Sequence, residues 1–150
     1  MPVTVTAYAR LHLGFLNLCE ELGWVYGSLG VGLDAPRTRV VATPAQGLHA
    51  TGQHADRIIR YAEHLAAVFQ RSWQARLTVT EAIPEHSGLG SGTQWALTVG
   101  TALLRLHGIQ TGPRELAGIM GRGMRSGIGV ASFESGGIIL EAGHKKRPPG

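Results

Sequence analysis

The chain has few cysteines, few aromatics and little charge. Its one cysteine, Cys19, rules out an internal disulfide framework and fits a reducing cytosol. It reads as a small buried or half-buried thiol rather than a nucleophile. Aromatic residues make up 6% of the 150 residues and charged residues 16%. No basic stretch is interleaved with aromatics, which argues against a nucleic-acid partner. No apolar run approaches the roughly 18 residues of a membrane span, and no charged-then-apolar leader opens the chain. The expectation is a cytoplasmic protein with no membrane partner. The seven histidines are scattered, without Cys-x-x-Cys or His-Glu-x-x-His spacing, so no structural metal centre is expected. A Gly-x-Ser-x-Gly elbow with an evident Asp and His is also missing.

Glycine is plentiful. The chain has 22 glycines, about twice the usual share of roughly 7%. That excess suggests tight turns and a ligand approached by backbone. Hydrophobic residues, at 43%, suffice for a core, and the length suits one domain or the first half of a two-domain protein. The formal charge of +4 reads either as a solvated basic surface or as an attraction for small anions.

The chemistry concentrates at Ile83-Pro84-Glu85-His86-Ser87-Gly88-Leu89-Gly90-Ser91-Gly92-Thr93. An alternating strand, Arg76 to Ile83, leads in, and a helix-period segment from Thr93 to His107 follows. Glycines there allow positive φ and close backbone approach. The first amides of a helix have no internal partners and, with the helix dipole, form an anion site. Gly88, Leu89, Gly90, Ser91, Gly92 and Thr93 are therefore the candidate phosphate binders. A plain glycine turn with a helix cap is the bland alternative, with Ser91 as the cap. The Ser91 and Thr93 hydroxyls could instead face a bound Mg²⁺. The pattern is neither a Walker loop nor a dinucleotide fingerprint.

In chain order, Val3 to Leu13 alternates as a half-buried strand, with odd positions toward a core and Tyr8, Arg10 and His12 on the other face. Arg10 and His12 are either solvent-facing or, if that face is a cleft, a pair for an anion. Gly14 to Gly27 reads as irregular, either an aromatic-rich loop over a site or a packed hairpin turn, and the glycines of Ser28 to Leu33 suggest a bulged strand or close backbone approach. Thr38 to Thr43 reads as a strand and Pro44 to Gly52 as a turn or hairpin. Ala55 to Trp73 is a helix with an Ile58, Ala62, Leu65 stripe; Arg57, Arg60 and Glu63 fall on its solvated face. Thr93 to His107 is apolar all round, as expected of a buried helix. A third helix starts near Pro113. The stretch from Gly121 to Val130, with Arg122 and Arg125, cannot be regular throughout. Gly136 to Gly143 holds a last short strand. The tail from His144 reads as a linker or a cut through a longer chain.

The order of these motifs resembles the GHMP kinase superfamily, named for galactokinase, homoserine kinase, mevalonate kinase and phosphomevalonate kinase. Its phosphate loop, Pro-x-x-x-Gly-Leu-Gly-Ser-Ser, is similar to Pro84 through Gly92, and its opening strand to Ala7 through Gly14. The resemblance implies an α+β fold, the GHMP kinase N-terminal domain over residues 1–150, with a mixed sheet packed with helices. It also implies a ferredoxin-like C-terminal domain, absent from this sequence. Two departures stand out: Gly92 replaces the second serine, and Val130 stands where the kinases often place an aspartate, with Glu134 nearby. Arg122 to Gly137, together with Ala9 to Gly14 and the His144–Gly150 tail, is more similar to one branch, the beta-ribofuranosylaminobenzene 5'-phosphate synthases of methanopterin biosynthesis. That likeness implies condensation of phosphoribosyl diphosphate with 4-aminobenzoate or 4-hydroxybenzoate, with loss of diphosphate and CO₂. It implies Mg²⁺ as cofactor, a phosphorylated small molecule as partner, and either self-association or a missing C-terminal half. Arg10, His12, Arg122 and Arg125 are the candidate catalytic residues. An ATP-dependent small-molecule kinase and a non-catalytic phosphate-binding domain are the alternatives.

Overall fold

The computed structural model describes residues 1–17 and 23–145. Cys19, Glu20, Glu21 and the end of the tail (146–150) lie outside them.

Among the described residues, seven strands and four helices run in the order β1 (Val3–Asn17), β2 (Trp24–Val25), β3 (Gly27–Pro44), β4 (Leu48–Thr51), α1 (Ala55–Phe69), β5 (Ala75–Glu81), α2 (Ser91–Leu106), α3 (Pro113–Ile119), α4 (Ile128–Ser135), β6 (Ile138–Glu141) and β7 (His144–Lys145). The main sheet is mixed, in the order β1-β3-β5-β4, and β6 also pairs with β3. β4 and β5 are parallel and joined through α1, whereas β3 runs antiparallel to β1, β5 and β6. The architecture is α+β, as the sequence implies.

The sheet's inner face and the helices meet around α2. This helix is buried from Gln94 to Leu104 and touches β1, β3, β5, α1, α3 and α4. Trp95, Leu97, Leu103 and Leu104 are fully buried in it, so a helix apolar on every side has protein on most sides. From α1, Ile58, Ala62 and Leu65 complete the stripe read from the sequence. No helix among the described residues is long and apolar enough to cross a membrane.

Five readings need correction. First, the Gly14–Gly27 segment is not wholly irregular: β1 continues to Asn17, and β2 pairs with β7, so His144 and Lys145 belong to a strand rather than a tail. Second, β3 is one strand of 18 residues that absorbs both Ser28–Leu33 and Thr38–Thr43. Third, Leu48–Thr51 is a strand, which its short span between Gly47 and Gly52 disguises as a turn. Fourth, α1 stops at Phe69, because Gln70 turns left-handed (φ 49) and closes on the Ala66 and Ala67 carbonyls. Trp73 then folds back and donates from Nε1 to the Ala62 carbonyl at 2.9 Å. Fifth, the alternation of β1 holds at Val5, Ala7 and Ala9, but Leu11 and Leu13 are 40% and 58% exposed. The register with β3 shifts between Tyr8 and Arg10 and again between His12 and Gly14, and past the first shift the odd positions no longer meet the core.

A cross-strand charge cluster joins β3 to β5: Glu81 meets Arg37 at 2.5 Å and Arg39 at 2.9 Å. The hydrogen bond from Arg37, then the charges of Arg37 and Arg39, hold the Glu81 carboxyl below its ordinary value of 4.5. A depressed folded-state pKa contributes stability above the unfolded value, and that contribution is lost as pH falls through the folded value. Glu81→Gln is therefore expected to lower stability slightly at neutral pH, to leave it unchanged at pH below the folded value, and so to flatten the acid branch of the profile. Urea midpoints measured across that pH range check it; equally steep acid branches in both proteins would show that the cluster contributes no linkage.

Candidate anion site

The site begins where β5 ends. Ile83 is buried, and its N–H donates to Thr38 Oγ1 at 3.2 Å, which anchors the chain as it leaves the sheet. Ser87 Oγ donates to the Pro84 carbonyl at 2.7 Å, and His86, Gly88 and Gly90 all take positive φ. The loop thus curls tightly before α2. Gly90 is the N-cap residue, left-handed at φ 74, and no side chain caps the helix. Ser91 is not the cap expected from the sequence but the first helical residue, and it lines the cavity above.

Arg10 fastens this loop from β1. Its main-chain N–H donates to the Leu89 carbonyl at 3.1 Å and its Nη1 to the Gly88 carbonyl at 3.2 Å. Burial lowers the Arg10 pKa, and its Nε is buried without a partner. A Cβ on Gly90 would stand 2.8 Å from the Arg10 Cζ and Nε. Glycine is thus required there by both backbone hand and space.

The far wall comes from α1 and the segment after α3. Arg57 pairs with Glu85 and donates from Nε to the Tyr61 hydroxyl at 3.0 Å. Burial opposes the charge on Arg57, but Tyr61 and Glu85 outweigh it and its pKa is raised. Arg122 donates from Nη2 to the same hydroxyl at 3.1 Å. Both guanidinium groups approach Gly92: a Cβ there would lie 3.5 Å from Arg122 Nη1 and 3.6 Å from Arg57 Nη2. The resulting cavity, about 340 Å³, has three arginines on its walls, and among the described residues Glu85 is its one lining carboxylate.

The second glycine stretch buttresses the helix end. Gln94 donates from Nε2 to the Gly129 carbonyl at 2.8 Å, and a Cβ on Gly129 would come within 3.2 Å of Thr93 Cγ2. As the sequence implies, the stretch is not regular throughout: it is irregular to Gly127 and helical from Ile128. The glycine at 129 serves close helix packing rather than a turn. Val130 is buried and Glu134 faces Arg114 at 3.2 Å, outside the cavity lining.

Of the candidate residues, Arg10, Gly88, Gly90, Ser91, Gly92, Thr93 and Arg122 line this cavity, and Leu89 supplies a carbonyl to Arg10. His12 instead packs its ring on Phe15 at 4.7 Å, and Arg125 is exposed; neither is in the lining. Arg57 and Arg60, read from the sequence as a solvated face, line this cavity or its neighbour, and Tyr61 does so with them. Their one signal is the Arg57–Tyr61 spacing of one turn beside the apolar stripe. No group of three or more His, Cys, Asp or Glu that could hold a metal gathers among the described residues.

The sequence matches the family described as GHMP kinases N terminal domain over residues 56–137. It is 39% identical over 157 residues to a beta-ribofuranosylphenol 5'-phosphate synthase of Methanothermobacter thermautotrophicus, covering 98% of this chain and 48% of that protein. It is 35% identical to the protein of the same name from Archaeoglobus fulgidus, covering 93% and 44%. The chain thus spans about half the length of the curated relatives it matches. Among solved structures, a putative sugar kinase from Campylobacter jejuni superposes with a TM-score of 0.71 at 14% identity, covering 97% of this chain and 56% of that one. The Methanococcus jannaschii mevalonate kinase gives 0.68 at 11% identity, covering 100% and 56%.

Proposed function

Since the chain belongs to the GHMP kinase family, whose N-terminal domain matches it over residues 56–137, we propose that it is the diphosphate-binding half of a synthase rather than a kinase. The reaction joins phosphoribosyl diphosphate to a 4-substituted benzoate. One observation carries the reading: the loop cavity gathers Arg10, Arg57 and Arg122, and its one lining carboxylate among the described residues, Glu85, is held by Arg57. Such a site is suited to a departing diphosphate, and among the described residues its lining holds no unpaired carboxylate to take the proton of an acceptor hydroxyl.

The ring carbon that bears the carboxylate forms a bond to C1 of the ribose as the C1–O bond breaks, and diphosphate leaves with that electron pair. The bond to the carboxylate carbon then breaks; its electrons restore the aromatic ring and CO₂ departs. The α2 amides and the arginines meet negative charge on the leaving oxygens, where it grows. The similar proteins are named for a ribofuranosylphenol, which favours 4-hydroxybenzoate over 4-aminobenzoate as the acceptor.

Mg²⁺ fits the site as an ion carried in on the diphosphate, because among the described residues the lining offers it only the Ser91 and Thr93 hydroxyls beside the paired Glu85. When bound, it neutralises charge on the leaving group. His12 and Arg125 remain proposed participants that would act from outside the loop cavity. Self-association or a second half like that of the longer relatives belongs to the same reading. Leu11 and Ile138 both pair with Val31, so an exposed apolar row on one sheet face supports it.

Titration calorimetry with Mg²⁺ and phosphoribosyl diphosphate, then with Mg²⁺ and ATP, tests the proposal. Preference for the diphosphate sugar by at least about tenfold, roughly 1.4 kcal/mol, is expected. Tighter ATP binding would return the chain to the kinases.

A further inference from the structure

A second cavity, about 630 Å³, opens beside the loop cavity and shares Arg57, Glu85, His86 and Arg122 with it. Its own additions are His54, Asp56, Arg60 and Tyr61. We propose that this cavity binds a phosphate monoester, so that the two cavities together hold a sugar phosphorylated at both ends. The inference rests on the synthase reading and adds to it the seat of the 5-phosphate.

Charge and hydrogen-bonding capacity both point to an anion. The cations facing the space are Arg57, Arg60 and Arg122, with His54 and His86 beside them; the carboxylates are Asp56 and Glu85. Glu85 is already engaged by Arg57 and lies 3.7 Å from His54 Nδ1. Arg60 stands one turn after Asp56, yet no ion pair joins them, and Arg60 has no ion-pair partner among the described residues. A guanidinium left unpaired beside two others presents a fork suited to phosphate oxygens.

Tyr61 adds a directed donor. Its hydroxyl accepts from both Arg57 Nε and Arg122 Nη2, which uses both lone pairs and leaves its own proton to donate. An anionic oxygen in the cavity is a fitting acceptor. The wall is also held in place: the His54 ring meets Trp95 edge-on at 5.3 Å, so one side of the cavity is braced by the buried core. The shared arginines form the boundary between the two spaces, and a ribose lying across them would send one charged end to each side.

The two cavities are separable by mutation, because Arg60 lines only the second and Gly90 only the loop cavity. Calorimetry with ribose 5-phosphate and with Mg-diphosphate, singly and together, is the test. In the unmodified protein both ligands are expected to bind at once without competition. Arg60→Gln is expected to weaken ribose 5-phosphate about tenfold and to leave Mg-diphosphate within about twofold, with Arg60→Lys in between. Gly90→Ala is expected to weaken Mg-diphosphate at least about a hundredfold and to leave ribose 5-phosphate within about twofold. Arg60 is exposed, so its two variants should unfold at the same urea midpoint as the unmodified protein. Competition between the two ligands, or an Arg60→Gln variant that shifts both alike or neither, overturns the proposal. A preference for ATP over phosphoribosyl diphosphate would instead overturn the synthase reading, and the ribose 5-phosphate measurements would still decide this subsite.

Discussion

Replacing Gly90 by alanine is expected to lower affinity for Mg-diphosphate at least about a hundredfold while the domain stays folded. Two costs combine. At φ 74 an alanine adopts the left-handed region, at about 1–2 kcal/mol. Its Cβ would also stand 2.8 Å from the Arg10 Cζ and Nε and 3.1 Å from Cγ, so the side chain must swing away from the Gly88 carbonyl. The loop then loses its fastening to β1, and the ligand loses a guanidinium. Hydrogen bonds to charged groups contribute about 1.5–3 kcal/mol each, and about 1.4 kcal/mol is a factor of ten. Gly88→Ala is the control: it is equally left-handed, at φ 76, but a Cβ there meets nothing within 4 Å. It should weaken binding much less. Calorimetry on both variants decides. Equal losses would mean that backbone hand alone matters, and unchanged affinity in Gly90→Ala would remove the loop as the anion site.

Trp95→Ala is expected to be the most destabilising change in the core, at roughly 3–5 kcal/mol. The residue is fully buried in the first turns of α2, the helix on which the sheet and the other helices pack. Domains of this kind are stable by only about 5–15 kcal/mol, so the variant should be close to unfolding at moderate temperature. Urea denaturation measures it; a loss below about 1 kcal/mol would show that the cavity collapses around the missing ring. Trp95→Phe should cost much less, because most of the apolar volume remains. Through the His54 contact, Trp95→Ala should also loosen the second cavity.

How far the sequence could be read depended on whether the signal was local. The α1 stripe, the all-apolar α2 and the strand–loop–helix junction at Gly88–Gly92 were legible because periodicity and glycine placement act over one or two turns. Leu48–Thr51 was hidden because a four-residue strand carries little pattern, and its pairing with β5 is parallel and reached only through α1. Ile128–Ser135 was hidden because its glycine is demanded by Thr93 of another helix rather than by its own chain. Arg57 and Arg60 look like any charged helix face until Glu85 and Arg122 arrive from elsewhere.

By itself, then, the sequence determined the elements with local periodicity, the glycine loop between β5 and α2 and the family, and it set Val130 where the resembling kinases often place an aspartate. Hydrophobic repeats and glycine spacing are properties of neighbouring residues, so they need no fold to be read. Only the tertiary structure decided which charges share a space. Arg10 from β1, Arg57 from α1, Glu85 from the loop and Arg122 from beyond α3 meet at distances set by sheet register and helix packing. Packing brings together residues far apart in the chain, and no local pattern encodes which of them will meet.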